Sequence, residues 1–413
     1  MVRRVQGPVL RRSVLARSAL LGPAFVAAIA YVDPGNVAAN VTAGARYGFL
    51  LVWVLVVAGV IAMLVQYQSA KLGVVTGRSV PELVGERLGR GARIGYWLQA
   101  EVVAAATDLA EVIGGAIALN LLFGLPLVVG GVIIAVVSLI ILAIASRRGQ
   151  RSFELVVGGF LVVIVVGFLA GLVVNAPSPS DVAGGLIPRL HGRESVLLAA
   201  GMFGATVMPH VVYLHSTLVI DRHGSGHSAP VVRKLLGATR VDVLVALGIA
   251  GLVNIALLVL AAQNLRHVPG TDTIDGAYHA VRHSLGPLIA VFFAAGLLAS
   301  SLASTAVGSY AGAAIMQGML HIRVPMIIRR LVVVIPALIV LGVGVEPTWA
   351  LVVSQVVLSF GIPFAIIALA RLTSDRTLMG EFTDRPLLRW ASVVSTIVIV
   401  VLNVALIVLA FTG

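Results

Sequence analysis

The chain has 413 residues, of which 59% are hydrophobic and only 11% charged. Soluble domains carry roughly 25% charged residues, so this composition excludes an ordinary soluble globule. Net charge is +12 and there is no cysteine, which excludes disulfides, thiolate metal sites and thiol redox chemistry.

Repeated apolar runs of about 20 residues predict a polytopic helical membrane protein. In chain order the expected spans are 20–43, 48–69, 94–121, 125–146, 153–175, 195–219, 238–262, 285–316, 329–346, 348–371 and 388–411. The connections 70–93, 176–194, 220–237, 263–284 and 372–387 hold most of the Pro, Ser and charged residues. Segment 78–93 reads as a solvated amphipathic helix, with Arg78, Glu82, Glu86, Arg87, Arg90 and Arg93. No cleavable leader is expected, because the first apolar segment carries a polar motif of its own.

A strongly basic chain suggests nucleic acid, but these arginines sit in alternate loops. With the N-terminus inside, 24 of the 29 Lys and Arg residues fall on the inner side. The outer side keeps Arg46, Arg189, Arg193, Arg266 and Arg282. So uneven a split predicts a cytoplasmic N-terminus and an extracytoplasmic C-terminus in a bacterial inner membrane. A missed span would scramble the later loops, so the split supports the number of spans as well.

Two helix-breaking motifs lie inside apolar spans: Asp33-Pro34-Gly35-Asn36 in span 1 and Met208-Pro209-His210 in span 6. Proline removes a backbone donor and blocks the preceding turn, and in hydrocarbon the freed carbonyls must find other partners. The breaks occupy corresponding places in spans 1–5 and 6–10. Five spans per unit force the second unit to be inverted. Paired broken helices point to a transporter site near mid-bilayer.

The two motifs, with Ala205-Thr206-Val207 leading into the second, resemble the NRAMP family of proton-coupled divalent metal transporters. Ser69–Gly73 after span 2, Thr107–Glu111 in span 3 and His210–Ser216 in span 6 carry the same likeness. The closest likeness is to the bacterial manganese and iron importer branch. The resemblance implies an all-α LeuT-like fold of eleven transmembrane helices, with helices 1 and 6 broken. The whole chain, 1–413, would be one transporter domain. It would comprise an N-terminal tail 1–19, a repeat 20–175, an inverted repeat 195–371 and an extra helix 388–411.

Asp33 is an acid in an apolar span. Its insertion costs about 2.5–3.5 kcal/mol, and such acids are functional by default. The plainer reading is a packing acid bonded to a neighbouring hydroxyl. Asn36 offers an amide oxygen; its plainer reading is a helix cap. A lone Met is usually packing. Beside Pro209, Met208 reads instead as a soft ligand that favours transition metals over Ca²⁺ and Mg²⁺. The resemblance adds the Ala205 carbonyl, the Ala30 carbonyl in some states and Gln355 on occlusion. Mixed oxygen and sulfur ligation suits Mn²⁺ and Fe²⁺, and also Co²⁺ and Cd²⁺.

Span 3 carries Glu101, Asp108 and Glu111 on one helical face. Arg329 and Arg330 open span 9 as partners. The resemblance makes these five a proton pathway; the plainer reading is a structural salt bridge between spans 3 and 9. His210 and His215 suggest protonation linked to gating. The other histidines singled out, His191, His223, His227, His267 and His283, fall in loops and are expected to be solvated.

The expected activity is proton-coupled import of divalent transition metals by alternating access. Its partners are the metal substrate and the lipid bilayer, with no cofactor, nucleic acid or obligatory protein partner. Rival readings are a sodium-coupled organic-solute symporter, a passive channel and an intramembrane enzyme. The symporter leaves Met208 unexplained. No His-Glu-x-x-His or Gly-x-Ser-x-Gly motif supports the enzyme.

Overall fold

The computed structural model describes residues 22–412 apart from 149, 267 and 323. Arg3, Arg4, Arg11, Arg12, Arg17, His267 and Arg323 therefore lie outside the described residues, as do the side chains of Arg147, Arg148 and Arg151. Among the described residues the regular structure is wholly helical.

Span 1 is two helices, α1 (Pro23–Ala30) and α2 (Pro34–Tyr47). It is followed by α3 (Val52–Thr76), α4 (Val80–Arg87), α5 (Arg90–Phe123), α6 (Leu127–Arg148), α7 (Gln150–Val174) and α8 (Pro179–Gly184). Span 6 is likewise split, into α9 (Gly192–Thr206) and α10 (Pro209–His223). Then come α11 (Ala229–Asn264), α12 (Ile274–Ser284), α13 (Pro287–Leu320), α14 (Met326–Val343), α15 (Pro347–Ser374), α16 (Arg376–Met379) and α17 (Pro386–Thr412).

Every one of the eleven expected spans is helical. By length and hydropathy alone, eight segments of the described residues qualify as membrane-crossing. The differences from expectation are at the ends. The expected span 2 stops at 69, yet α3 runs to Thr76 and takes Ser69–Gly73 into its last turns. The charge that marks a boundary in the sequence is not solvated: Lys71 is buried and paired with Asp384 at 2.6 Å. Helix α11 begins nine residues before the expected 238. At 36 residues it is about 54 Å long, far more than a hydrocarbon core of roughly 30 Å. Its first turns carry Arg233, Lys234 and Arg240, and a helix this long has turns to spare for regions beyond that core.

Segment 78–93 is not a single solvated helix. Helix α4 ends at Arg87, and residues 90–93 already belong to α5. Ser79 and Glu82 form a reciprocal capping box at its start. Val80, Leu83 and Val84 are buried. The connection 263–284 also holds a helix, α12, with Ile274, Ala277, Tyr278 and Val281 buried on one side.

The broken helices are at the centre. Every residue of α1 is buried, and so are the first eight residues of α10. Helix α13 packs along α5 and α7; α11 packs along α2 and α3; α15 packs along α9 and α5. Outward faces remain apolar and exposed, as at Val162 on α7, Ile335 on α14 and Val394 on α17. An apolar exposed face with a polar buried centre is the arrangement that lipid solvation requires.

Candidate metal-binding centre

Proline sets the geometry of both breaks. In an unbroken helix the residue 34 N–H would bond the Ala30 carbonyl, and the residue 209 N–H would bond Ala205. Pro34 and Pro209 have no N–H. Helix α1 therefore ends at Ala30 and α9 at Thr206. Both C-terminal ends, which carry partial negative charge, meet the breaks.

Asp33 caps α2. Its Oδ1 accepts from the Asn36 backbone N–H at 2.8 Å and from Asn36 Nδ2 at 2.7 Å. The cap is thus Asp33 rather than Asn36, which corrects the plainer reading of Asn36. The Asn36 amide donates also to the Ala205 carbonyl at 2.9 Å, linking the two breaks directly. With its NH₂ occupied, Asn36 leaves Oδ1 free. Asp33 Oδ2, Asn36 Oδ1 and Gln355 Oε1 are buried without a hydrogen-bond partner in the protein. Met208 is fully buried, three residues beyond Ala205.

Gln355 lies over the first break. A Cβ on residue 35 would sit 1.6 Å from Gln355 Nε2, so only glycine lets the α15 amide approach the backbone there. Ala30, Asp33, Asn36, Ala205, Met208 and Gln355 all lie at or beside the two breaks. Among the described residues no three His, Asp or Glu side chains form a metal cluster. The centre is therefore one carboxylate supplemented by amide, carbonyl and thioether groups.

Other polar residues, which the sequence motifs do not include, hold the first break open. Asn254 on α11 donates to the Tyr31 carbonyl at 2.6 Å and accepts from Asn40 at 2.8 Å. Ser300 on α13 donates to the Val32 carbonyl. An Asn and a Ser inside apolar helices are the available signal. Asn254→Leu is expected to destabilise the fold by about 0.6–2 kcal/mol, read as a lower unfolding temperature in detergent. An unchanged temperature would mean that the Tyr31 carbonyl does not depend on this amide.

Span 3 faces α14 through two ion pairs: Glu101–Arg329 at 2.7 Å and Asp108–Arg330 at 2.6 Å. Glu111 is 3.9 Å from Arg330, and neither of its oxygens has a hydrogen-bond partner. Arg330 also donates to Ser138 at 3.2 Å and Thr305 at 3.4 Å. The Arg329 guanidinium occupies the space above Gly312, where a Cβ would be 1.4 Å away. The line of acids meets the first break at Gly114, whose Cβ position is 2.1 Å from Pro34.

The two span 6 histidines are not brought together. His210 Nδ1 is 3.4 Å from the Thr107 hydroxyl on α5. His215 Nδ1 is 2.8 Å from Gln66 on α3. Gln66 in turn donates to the Tyr31 hydroxyl at 2.7 Å. The histidines are five positions apart, which sets them on different helix faces. His191 is exposed in a connection, as expected, but two of the others correct the loop reading: His283 is exposed yet lies in the last turn of α12, and His223 ends α10. His223 and His227 are half-buried.

Two centrally broken helices, unpartnered oxygens at the breaks and a lipid-facing exterior define a membrane transporter of LeuT-like fold. Structural comparison agrees. The fold matches the manganese transporter of Eremococcus coleocola with a TM-score of 0.87 at 29% identity, over 98% of this chain and 89% of that one. It also matches a nucleobase–cation-symport-1 family transporter, with a TM-score of 0.56 at 14% identity, over 94% of this chain and 90% of that one. Residues 24–409 match the family described as natural resistance-associated macrophage protein-like. The divalent metal cation transporter MntH of Mycobacterium tuberculosis is 59% identical over 95% of this chain and 92% of its own length. That of Bacillus subtilis is 44% identical over the same shares. The chain belongs to the Nramp family.

Proposed function

We propose that this protein imports divalent transition metals, Mn²⁺ and Fe²⁺ among them, coupled to protons, by alternating access. The substrate ion would be held by Asp33 Oδ2, Asn36 Oδ1, the Ala205 carbonyl and the Met208 sulfur. Ala30 and Gln355 would join as the site closes. The observation that carries this reading is the set of buried oxygens without partners at the two breaks. Leaving such groups unpaired costs about 1–3 kcal/mol each, a cost that an arriving cation removes. The C-terminal ends of α1 and α9 add their partial negative charge.

Sulfur supports selectivity. A thioether is a poor ligand for Ca²⁺ and Mg²⁺ and a good one for softer ions. The relatives' printed names, a divalent metal cation transporter and a manganese transporter, point the same way. No feature of the centre recommends the amine or carboxylate recognition that an organic-solute symporter needs.

Protons would move separately, along Asp108, Glu111 and Glu101 with Arg329 and Arg330. Glu111 lies nearest the break, and Asp108 and Glu101 continue the line along α5. His210 and His215 would link protonation to movement of α10. The half-helices α1 and α9 need only tilt at Pro34 and Pro209 to alternate access, since those turns already lack their hydrogen bonds. An inside-negative potential contributes roughly 2.3 kcal/mol per charge per 100 mV, so a dication gains roughly twice that on entry.

Liposome uptake with a pH-sensitive dye inside tests the scheme. Wild type is expected to carry Mn²⁺, exclude Ca²⁺ and acidify the lumen. Met208→Ala is expected to admit Ca²⁺ and lose Cd²⁺ uptake. Unchanged selectivity would remove the sulfur from the site, and Mn²⁺ uptake without acidification would remove the proton.

A further inference from the structure

A cavity of about 690 Å³, lined by both charged and apolar residues, lies away from the broken-helix centre. It opens between the end of α3, the start of α11 and the start of α17. Four cations line it: Lys71, Arg233, Arg240 and Arg385. Two are already neutralised. Lys71 pairs with buried Asp384 at 2.6 Å, and Arg233 pairs with Glu381 at 2.5 Å. Arg240 and Arg385 have no carboxylate partner among the described residues. Arg240 is held in place by the face of Tyr67, 5.5 Å from the ring centroid. That contact fixes the guanidinium while leaving its N–H groups unused.

The rim is apolar and exposed. Leu387 is 82% exposed and Trp390, one turn further along α17, is 68% exposed. Val241 and Leu244 on α11 are exposed as well, at 56% and 52%. These surfaces are ones that lipid chains cover. A basic recess opening onto such faces fits a phosphate with acyl chains attached better than a free anion, which would use the guanidiniums and leave the rim bare.

We propose that this cavity binds the phosphodiester headgroup of an anionic phospholipid, between Arg240 and Arg385. Guanidinium forks match phosphate oxygens in pairs. Basic pockets between membrane helices are suited to such headgroups. Tyr67 and the apolar rim would seat the glycerol and the upper acyl chains. The lipid would bridge α17, the helix outside the two five-span units, to α3 and α11. Nothing in this site overlaps the metal donors, so it stands independently of the transport reading.

Native mass spectrometry of the purified full chain tests it. The probes are dioleoyl phosphatidylglycerol, dioleoyl phosphatidylcholine and inorganic phosphate. Wild type is expected to retain phosphatidylglycerol in preference to phosphatidylcholine. The Arg240→Gln, Arg385→Gln double variant is expected to lose about thirtyfold in phosphatidylglycerol affinity, and either single change roughly fivefold. Both side chains are exposed, so the single variants remain usable if the double variant folds poorly. Arg189→Gln, a charge loss in the connection after α8, should retain the lipid. Undiminished phosphatidylglycerol binding in the variants would overturn the proposal. So would an equal loss of phosphatidylcholine, or displacement by millimolar inorganic phosphate, which would mark a soluble-anion site.

Discussion

Asp33→Asn is expected to abolish measurable metal transport while leaving the protein folded. Asparagine is as good an N-cap as aspartate, so the start of α2 keeps its cap. Asp33 Oδ1 accepts two hydrogen bonds from Asn36, and the carbonyl oxygen of an asparagine side chain at this position accepts them equally well. What disappears is the one negative charge at the breaks. Truncating one partner of a buried charged pair costs about 2–5 kcal/mol, so Mn²⁺ affinity should fall by at least ~30-fold. Titration calorimetry on purified protein reads this, with the unfolding temperature as control. A variant that binds Mn²⁺ normally would place the ion elsewhere. A variant that unfolds near wild-type temperature without binding separates the ligand role from the cap.

The second large effect concerns Asp108 and Arg330. Arg330 is 1% exposed and Asp108 is 1% exposed. Removing Asp108 leaves buried Arg330 with only the more distant Glu111, 3.9 Å away, as counter-charge, at a cost of up to about 3–5 kcal/mol. Asp108→Asn is therefore expected to lower the unfolding temperature substantially, although the side chain changes by a single atom. Adding Arg330→Met should restore part of that loss, because a buried pair replaced by packed neutral groups is often neutral or stabilising, while Glu111 loses its nearby cation. Proton flux decides the remaining question. A stable double variant that moves metal but no protons assigns Asp108 and Arg330 to the proton route. A stable double variant with full proton flux leaves them as a structural clamp between α5 and α14. An unperturbed single variant would dismiss the ion pair as a determinant of stability.

Much of this is legible in the chain because the membrane constrains it so tightly. Long apolar runs must be helices in lipid, so Leu127–Arg148 or Pro287–Leu320 needs no tertiary information. Pro34 and Pro209 announce the breaks, since a missing N–H has a direct consequence for the carbonyl four positions before it. The family likeness follows from the residues at those breaks and agrees with the match over residues 24–409.

Where sequence and structure part, burial is the cause. Lys71 looks like the end of a span, but Asp384, 313 positions away, neutralises it inside the protein. Segment 78–93 looks solvated, but α4 buries its apolar residues, and of its charges only Glu86 and Arg87 are exposed while Glu82 turns back to cap the helix. Asn254 and Ser300 are invisible as break-holders, because their role depends on which helix lies beside Tyr31 and Val32.

The chain alone determined the helical membrane class, the two interruptions and the residue types able to grip a cation. Those follow from local chemistry: hydrocarbon forbids unpaired backbone, and proline forbids the pairing. Only the tertiary structure decided which groups converge. It gave Asn36 to Ala205, Gln355 to Gly35, Asp108 to Arg330 and His215 to Gln66. These pairings span up to about 320 residues of sequence, and side-chain reach across packed helices, rather than sequence spacing, selects them.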